Sequence, residues 1–177
     1  AQALKEKVDV QDIDRVALCA ALLAAGQRLS WTPRTPEVDP RSLPGLVVDD
    51  DDAALTGLWT ESRGARPFVG RGYRHDGARP TAGARATFRT RLPDAGRYEV
   101  RIAYSAHANR IADARIAVLQ DNARREFGVD QRVVPALPGG WHSLGILGFD
   151  AGPTRAEVSR GTGAGHLVID AVQWIRR

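Results

Sequence analysis

From residue 85 onward, apolar and polar positions alternate with a period of two. Ala86, Phe88, Thr90 and Leu92 interleave with Arg85, Thr87, Arg89 and Arg91. Successive side chains of a strand point to opposite faces, so this spacing predicts an apolar face turned inward and arginines in water. Pro93-Asp94-Ala95-Gly96 supplies a turn, and RYEVRIAY follows with Tyr98, Val100, Ile102 and Tyr104 on one side. Further strands are predicted over Ala114–Leu119, with Ile116 and Val118 facing in, and over Arg125–Val129 after a turn at Asp121-Asn122. Leu144–Phe149, Arg155–Ser159 and Leu167–Ile175 complete the series, and Leu46–Val48 opens it before the acidic run Asp49–Asp52. Repeated strands of this length joined by Gly- and Pro-containing turns predict an all-β, antiparallel β-sandwich. After residue 45 no helical period is long enough for a βαβ unit, which argues against a parallel-sheet nucleotide fold.

The chain before residue 46 has a different pattern. Asp12 and Asp14 are suited to cap a short α-helix running to about Ala25 and closed by Gly26, with Val16, Leu18, Leu22 and Leu23 on its apolar side. Such a helix must dock to persist, either on the following domain or on one upstream. WTPRTPEVDPRSLP then places four prolines in fourteen residues, a Pro-rich linker. The expected organisation is a helical segment over 1–30, a linker over 31–45 and a β-sandwich accessory domain over 46–177.

With 177 residues and 43% hydrophobic content, the chain can bury a core in one domain with an appendage. Net charge is +4, and residues 1–45 carry equal numbers of basic and acidic side chains, so the excess belongs to the sandwich. Arg124-Arg125 and Arg176-Arg177 are pairs, not the longer basic clusters of nucleic-acid binders, so no nucleic-acid partner is expected. No apolar run reaches eighteen residues, so no membrane insertion by a helix is expected. Cys19 lies in the apolar run VALCAALLAAG and reads as a structural thiol, since no activating base is local. Ala1 is expected to mark a boundary, with any targeting signal or catalytic domain upstream.

Candidate chemistry concentrates in LWTESRGARPFVGRGYRHDG, Leu58–Gly77. Exposed rings among Trp59, Phe68, Tyr73 and His75 could stack on sugar faces while Arg71 or Asp76 bonds to hydroxyls. The alternative is that Trp59 and Tyr73 seal the end of the sandwich. The glycines here lack the spacing and the strand-to-helix context of a phosphate loop. His107, in the polar interruption YSAHANR, is either a ligand contact or a structural hydrogen-bond group. Asp49–Asp52 offers oxygen atoms suited to calcium, Asp50 and Asp52 above the others, but consecutive carboxylates converge only if the chain turns. The alternative is a solvent-facing turn. Asp170, in LVIDAVQW, places a carboxylate among apolar neighbours, so it must accept hydrogen bonds from loop amides or an arginine. No nucleophile elbow, zinc-binding histidine spacing or paired acids is present, so no catalytic residues are assigned. A hydrolase or lyase would require His107 or His142 to meet a carboxylate in an open cleft.

LVVDDDDA, LWTESRG, FVGRGYRHDG, LPDAGRYEVRIAYSAHANR, VDQR, WHSLGILGFDAG and HLVIDAVQW together resemble the golvesin C-terminal-like domain, also found as the carbohydrate-binding-like module of xanthan lyases. The resemblance implies a jelly-roll sandwich of galactose-binding type, attached to extracellular or periplasmic proteins. It also implies Trp59, Tyr73, His75, Asp76, His107, Asn109 and Arg110 as ligand-binding candidates. KEKVDVQDIDRVALCAALLAAGQRLSW is similar to the tail of FAD-dependent oxidoreductases that carry such a module. That likeness would place FAD in an upstream domain, since this chain has no dinucleotide fingerprint. The leading expectation is a noncatalytic carbohydrate-binding or substrate-targeting module whose partner is a polysaccharide or an upstream domain of the same protein. The alternative is a structural C-terminal domain of a flavin oxidoreductase.

Overall fold

The computed structural model describes residues 38–80 and 83–177. The expected Asp14–Ala25 helix, Cys19 and the linker before residue 38 lie outside the described residues.

The strands are β1 Leu46–Asp49, β2 Ala54–Thr56, β3 Thr60–Ser62, β4 Tyr73–His75, β5 Arg85–Leu92 and β6 Gly96–Ala103. They continue with β7 Ala114–Gln120, β8 Ala123–Val129, β9 Trp141–Phe149, β10 Gly152–Ser159, β11 Val168–Ile169 and β12 Ala171–Arg176. Every strand pairing is antiparallel. One sheet runs β1-β12-β6-β9, the second β2-β5-β10-β7-β8, and a small third sheet runs β11-β4-β3. The antiparallel sandwich expected from the alternation is therefore the fold of the described residues.

The alternation works as expected because each long strand gives one stripe to a shared core. Tyr98, Val100 and Ile102 of β6 and Val172 and Trp174 of β12 face Phe88 of β5, Ile116 and Val118 of β7, and Val158 of β10. Trp174 is fully buried, and Tyr98 meets Phe149 edge-on at 6.0 Å while donating its hydroxyl hydrogen bond to the Asp94 carbonyl. Trp141 belongs to a second cluster with Val69, Ala103 and Ala171, with Leu43 and Val47 packed against it. The four-stranded sheet is thus covered on part of both faces, which simple alternation did not convey. Residues 38–45 lie along this sheet: Gly70 donates to the Val38 carbonyl, and Gln173 donates through its side chain to that of Pro44.

Two differences from the sequence reading matter for the site. The predicted continuous strand over Leu167–Ile175 is broken at Asp170, so β11 pairs with β4 whereas β12 pairs with β1 and β6. At the break, both carboxylate oxygens of Asp170 accept from the Val69 amide, at 3.1 and 3.2 Å. Leu58–Gly77 also contains β3 and β4, each too short for a period to register in the sequence. Phe88 packs at the centre of the core with 1% exposure. Phe88→Ala should lower unfolding free energy by about 3–5 kcal/mol; a urea midpoint near that of the wild type would show that this stripe is not the core.

Candidate functional site

Asp49 ends β1, and the chain then turns: the Asp52 and Ala53 amides donate to the Asp49 and Asp50 carbonyls. This turn removes the obstacle that adjacent carboxylates of a strand diverge. The β1–β12 register sets Asp49 opposite Ala171, which delivers Asp170 to the same place. Oxygen atoms of Asp49, Asp50 and Asp170 lie within 4.8 Å of one another, and all three residues are buried. Asp49 Oδ1 accepts from the Asp51 amide, while its buried Oδ2 has no donor. Asp50 accepts from Arg74 at 2.8 Å. Asp51 points outward to Arg71 and Arg74, and Asp52 is exposed.

Burial pushes all three carboxyls above the ordinary range, with smaller repulsion from Asp51 and Asp52 on Asp49, from Asp49 and Asp51 on Asp50, and from Asp50 and Asp49 on Asp170. Asp50 rises to about 8 through burial and its contact with Asp49, although Arg74 opposes the shift. The donor set consists of oxygen alone, with one orphaned buried oxygen, and this fits a hard divalent cation such as calcium. Gly70 is required beside it. Its φ is +59°, and a Cβ there would lie 2.5 Å from Asp49 Oδ2. Sequence reasoning favoured Asp50 and Asp52 within the acidic run; the structure brings Asp50 together with Asp49 and Asp170 and leaves Asp52 exposed. The signal for Asp170 was its charge among apolar neighbours.

A second group gathers where the loop after β6 meets β4 and the loop before β11. The buried Arg110 guanidinium donates to the Ser105 carbonyl, Asn109 Oδ1 and the Tyr73 hydroxyl, each at 3.1 Å, and lies 5.4 Å over the Tyr73 ring. Ser62 also donates to that hydroxyl. Asp76 is 1% exposed and accepts from the Ala78 and Leu167 amides and from Arg160. Arg160 in turn donates to the Gly163 and Gly165 carbonyls. Tyr73, Asp76 and Arg110 thus fasten three chain segments together from inside.

The remaining candidates reach the surface. His107 and Asn109 are exposed and share a 2.8 Å contact between Nδ1 and Oδ1. His75 is half-buried, accepts from the Gly77 amide and meets His166 edge-on at 5.0 Å. Burial, then His166 and Arg110, lowers the His75 pKa and favours its neutral form. Trp59 is half-buried against the core, with its indole nitrogen donating to the Thr56 carbonyl. It adjoins Thr60, which pairs with His75. Phe68 is buried in the core and Arg71 extends into solvent. His142 lies against Tyr104, and burial lowers its pKa. Among the described residues neither His107 nor His142 is hydrogen-bonded to a carboxylate.

A cleft of about 430 Å³ separates the acidic turn from β3 and is lined by Asp50, Asp51, Glu61, Arg63, Arg71 and Tyr73, among others. It joins the two groups through Asp50 on one side and Tyr73 on the other.

Residues 46–176 match the family model of the golvesin C-terminal domain. The chain belongs to this family. It is also 33% identical over 147 residues to a xanthan lyase of Bacillus sp. (strain GL1), covering 78% of this chain and 16% of that protein. A Paenibacillus xanthan lyase structure superposes with a TM-score of 0.67 at 27% identity, over 74% of this chain and 13% of that one. A family 35 carbohydrate-binding module from Clostridium thermocellum shares the fold, with a TM-score of 0.52 at 12% identity over 75% of this chain and 98% of that one. This golvesin C-terminal domain therefore spans only a small share of the xanthan lyases it resembles. The family match begins at residue 46, so it lends nothing to the flavin-oxidoreductase likeness of residues 1–30, which lie outside the described residues.

The acidic group gives a pH dependence of defined sign. A carboxyl whose folded pKa is raised holds its proton longer than in the unfolded chain, so its stabilising contribution is lost as pH rises through the folded value. In chelator-containing buffer, wild type should lose urea stability relative to Asp50→Asn between pH 5 and 8. The comparison cancels the histidines, whose lowered values act in the opposite sense. A difference that stays constant across that window would mean that Asp50 is ionised throughout.

Proposed function

We propose that this golvesin C-terminal domain is a noncatalytic carbohydrate-recognition module of a longer extracellular or periplasmic protein. The observation that carries the reading is the 33% identity to part of a xanthan lyase, on a fold shared with a free-standing carbohydrate-binding module. We read the sandwich as a jelly-roll of galactose-binding type, with residues 46–177 as the module, 31–45 as linker and 1–30 as a helical segment. The module holds an appended catalytic domain near its polymer, or packs against an upstream domain of the same chain. No observation favours the structural-tail reading for a flavin oxidoreductase over this one.

Recognition falls on the surface around β3 and β4. Trp59, His75, His107 and Asn109 supply the accessible ring faces and polar atoms, and Arg71 lines the adjoining cleft. Tyr73, Asp76 and Arg110 act from below by holding the loops in one arrangement, which lowers the ordering cost of binding. A calcium ion would be held by Asp49, Asp50 and Asp170, neutralising their repulsion and fixing the turn that forms one wall of the cleft.

Isothermal titration against a panel of neutral and acidic polysaccharides, with and without calcium, tests this reading. Trp59→Ala should weaken binding about tenfold in a protein that stays folded with a modestly lowered melting temperature, whereas Tyr73→Ala should destabilise the fold itself more strongly, by about 3 kcal/mol or more. Calcium should raise the melting temperature of wild type but not of Asp170→Asn. Absence of heat with every polysaccharide in calcium buffer would overturn glycan recognition, and an unchanged melting temperature in calcium would remove the ion.

A further inference from the structure

The outer face of the five-stranded sheet carries a charge array that the β3–β4 surface does not use. Alternation turns Arg85, Arg89 and Arg91 of β5, Arg155 of β10, Arg115 of β7 and Arg124 of β8 to this side, because their neighbours Phe88, Ala156, Ile116 and Val118 face the core. Against these arginines, the strands of this face offer only Glu126 and Glu157 as acids. Glu157 is shared by three of them: Arg155 at 3.0 Å, Arg85 at 3.3 Å and Arg124 at 3.7 Å. Arg89 and Arg91 make no ion pair or side-chain hydrogen bond among the described residues.

Register makes the array a row. Arg89 lies directly opposite Arg155, Arg155 opposite Leu119, and Leu119 opposite Arg124. The Cα positions of three arginines therefore stand on one line, about 14 Å long at the usual interstrand spacing, with the Arg155 and Arg124 side chains leaning toward Glu157 and Glu126. Arg124 also pairs with Glu126 at 2.8 Å. Like charges directly opposite one another across strands are destabilising, and Arg89, opposite Arg155, is left without an acidic partner among the described residues. Two hollows meet at this row. One, of about 510 Å³, is lined by Arg85, Arg115, Arg124 and Glu157 among others; the second, of about 240 Å³, by Arg89, Leu119, Gln120 and Arg155 among others.

We infer that this face binds a carboxylate-bearing polysaccharide, at a site separate from the β3–β4 surface. Guanidinium groups present a planar fork that fits carboxylates in pairs of hydrogen bonds. A row of three arginines, with a hollow along each side, suits repeated carboxylates on an extended polymer better than a single sugar acid. The strands of this face carry no aromatic side chain outward, so it lacks the stacking platforms used for single-stranded nucleic acid. The choice of polymer rests on the carbohydrate-module reading above.

The test measures binding of the whole chain to polygalacturonate, with neutral dextran and duplex DNA of matched charge as comparisons. Wild type should bind polygalacturonate, lose about tenfold in affinity as salt is raised from about 50 to 200 mM, and bind DNA more weakly. Arg89→Gln with Arg155→Gln should reduce polygalacturonate binding about tenfold or more, with a melting temperature close to that of wild type, since relief of the Arg89–Arg155 repulsion offsets loss of the Arg155–Glu157 pair. Unchanged binding in this double variant, absence of polygalacturonate binding, or equally tight DNA binding would overturn the inference. The two sites separate cleanly: heat that depends on Trp59 but not on Arg89 and Arg155 supports only the β3–β4 surface. Binding that tracks the two arginines and ignores Trp59→Ala supports only the sheet face.

Discussion

Three buried carboxylates meeting at the end of β1 set the terms for this part of the molecule. Taking one carboxylate out of water is costly, and three within 4.8 Å add repulsion to that cost. The surroundings are arranged to offset it. The Val69 amide points at Asp170, Arg74 reaches Asp50, and a glycine at position 70 leaves room for the Asp49 side chain. Asp170 also sits where the last stretch of the chain divides into β11 and β12. That split gives β4 a partner, and β4 carries Tyr73 and His75. Acidic cluster, small sheet and candidate recognition surface are therefore one connected arrangement.

Support and contact are divided within that arrangement. Arg110 spends its donors on the Ser105 carbonyl, Asn109 and Tyr73, and Asp76 accepts from two loop amides and Arg160. A buried polar group left unpaired costs more than a paired one returns, so such networks define a single loop geometry. The side chains that reach the surface beside this network are His107 and Asn109, the latter held by Arg110, with Trp59 and His75 half covered. A motif-level likeness groups all of these residues together, and only burial separates those that hold from those that could touch.

Much of the sandwich was legible because long strands with one wet and one dry face write a period of two into the chain. β5, β6 and β7 show this directly, and the turns at Pro93–Gly96 and Asp121-Asn122 fall where turn chemistry placed them. β3, β4 and β11 were not legible as elements, since two or three residues cannot display a period and their pairing is wholly non-local. Among site residues, Asp50 was visible in the acidic run and Asp170 as a charge in an apolar stretch. Their meeting was not visible, because 120 positions of chain separate them.

The amino-acid sequence by itself determined the antiparallel layers, the inward stripe that fills them and the outward arginines, because each follows from side chains alternating along one strand. Tertiary structure alone decided which carboxylates share a site, which of the candidate polar groups are sealed inside, and which arginines stand in one row. Those outcomes depend on strand register and on turns that bring distant residues together, and neither is encoded in any local period.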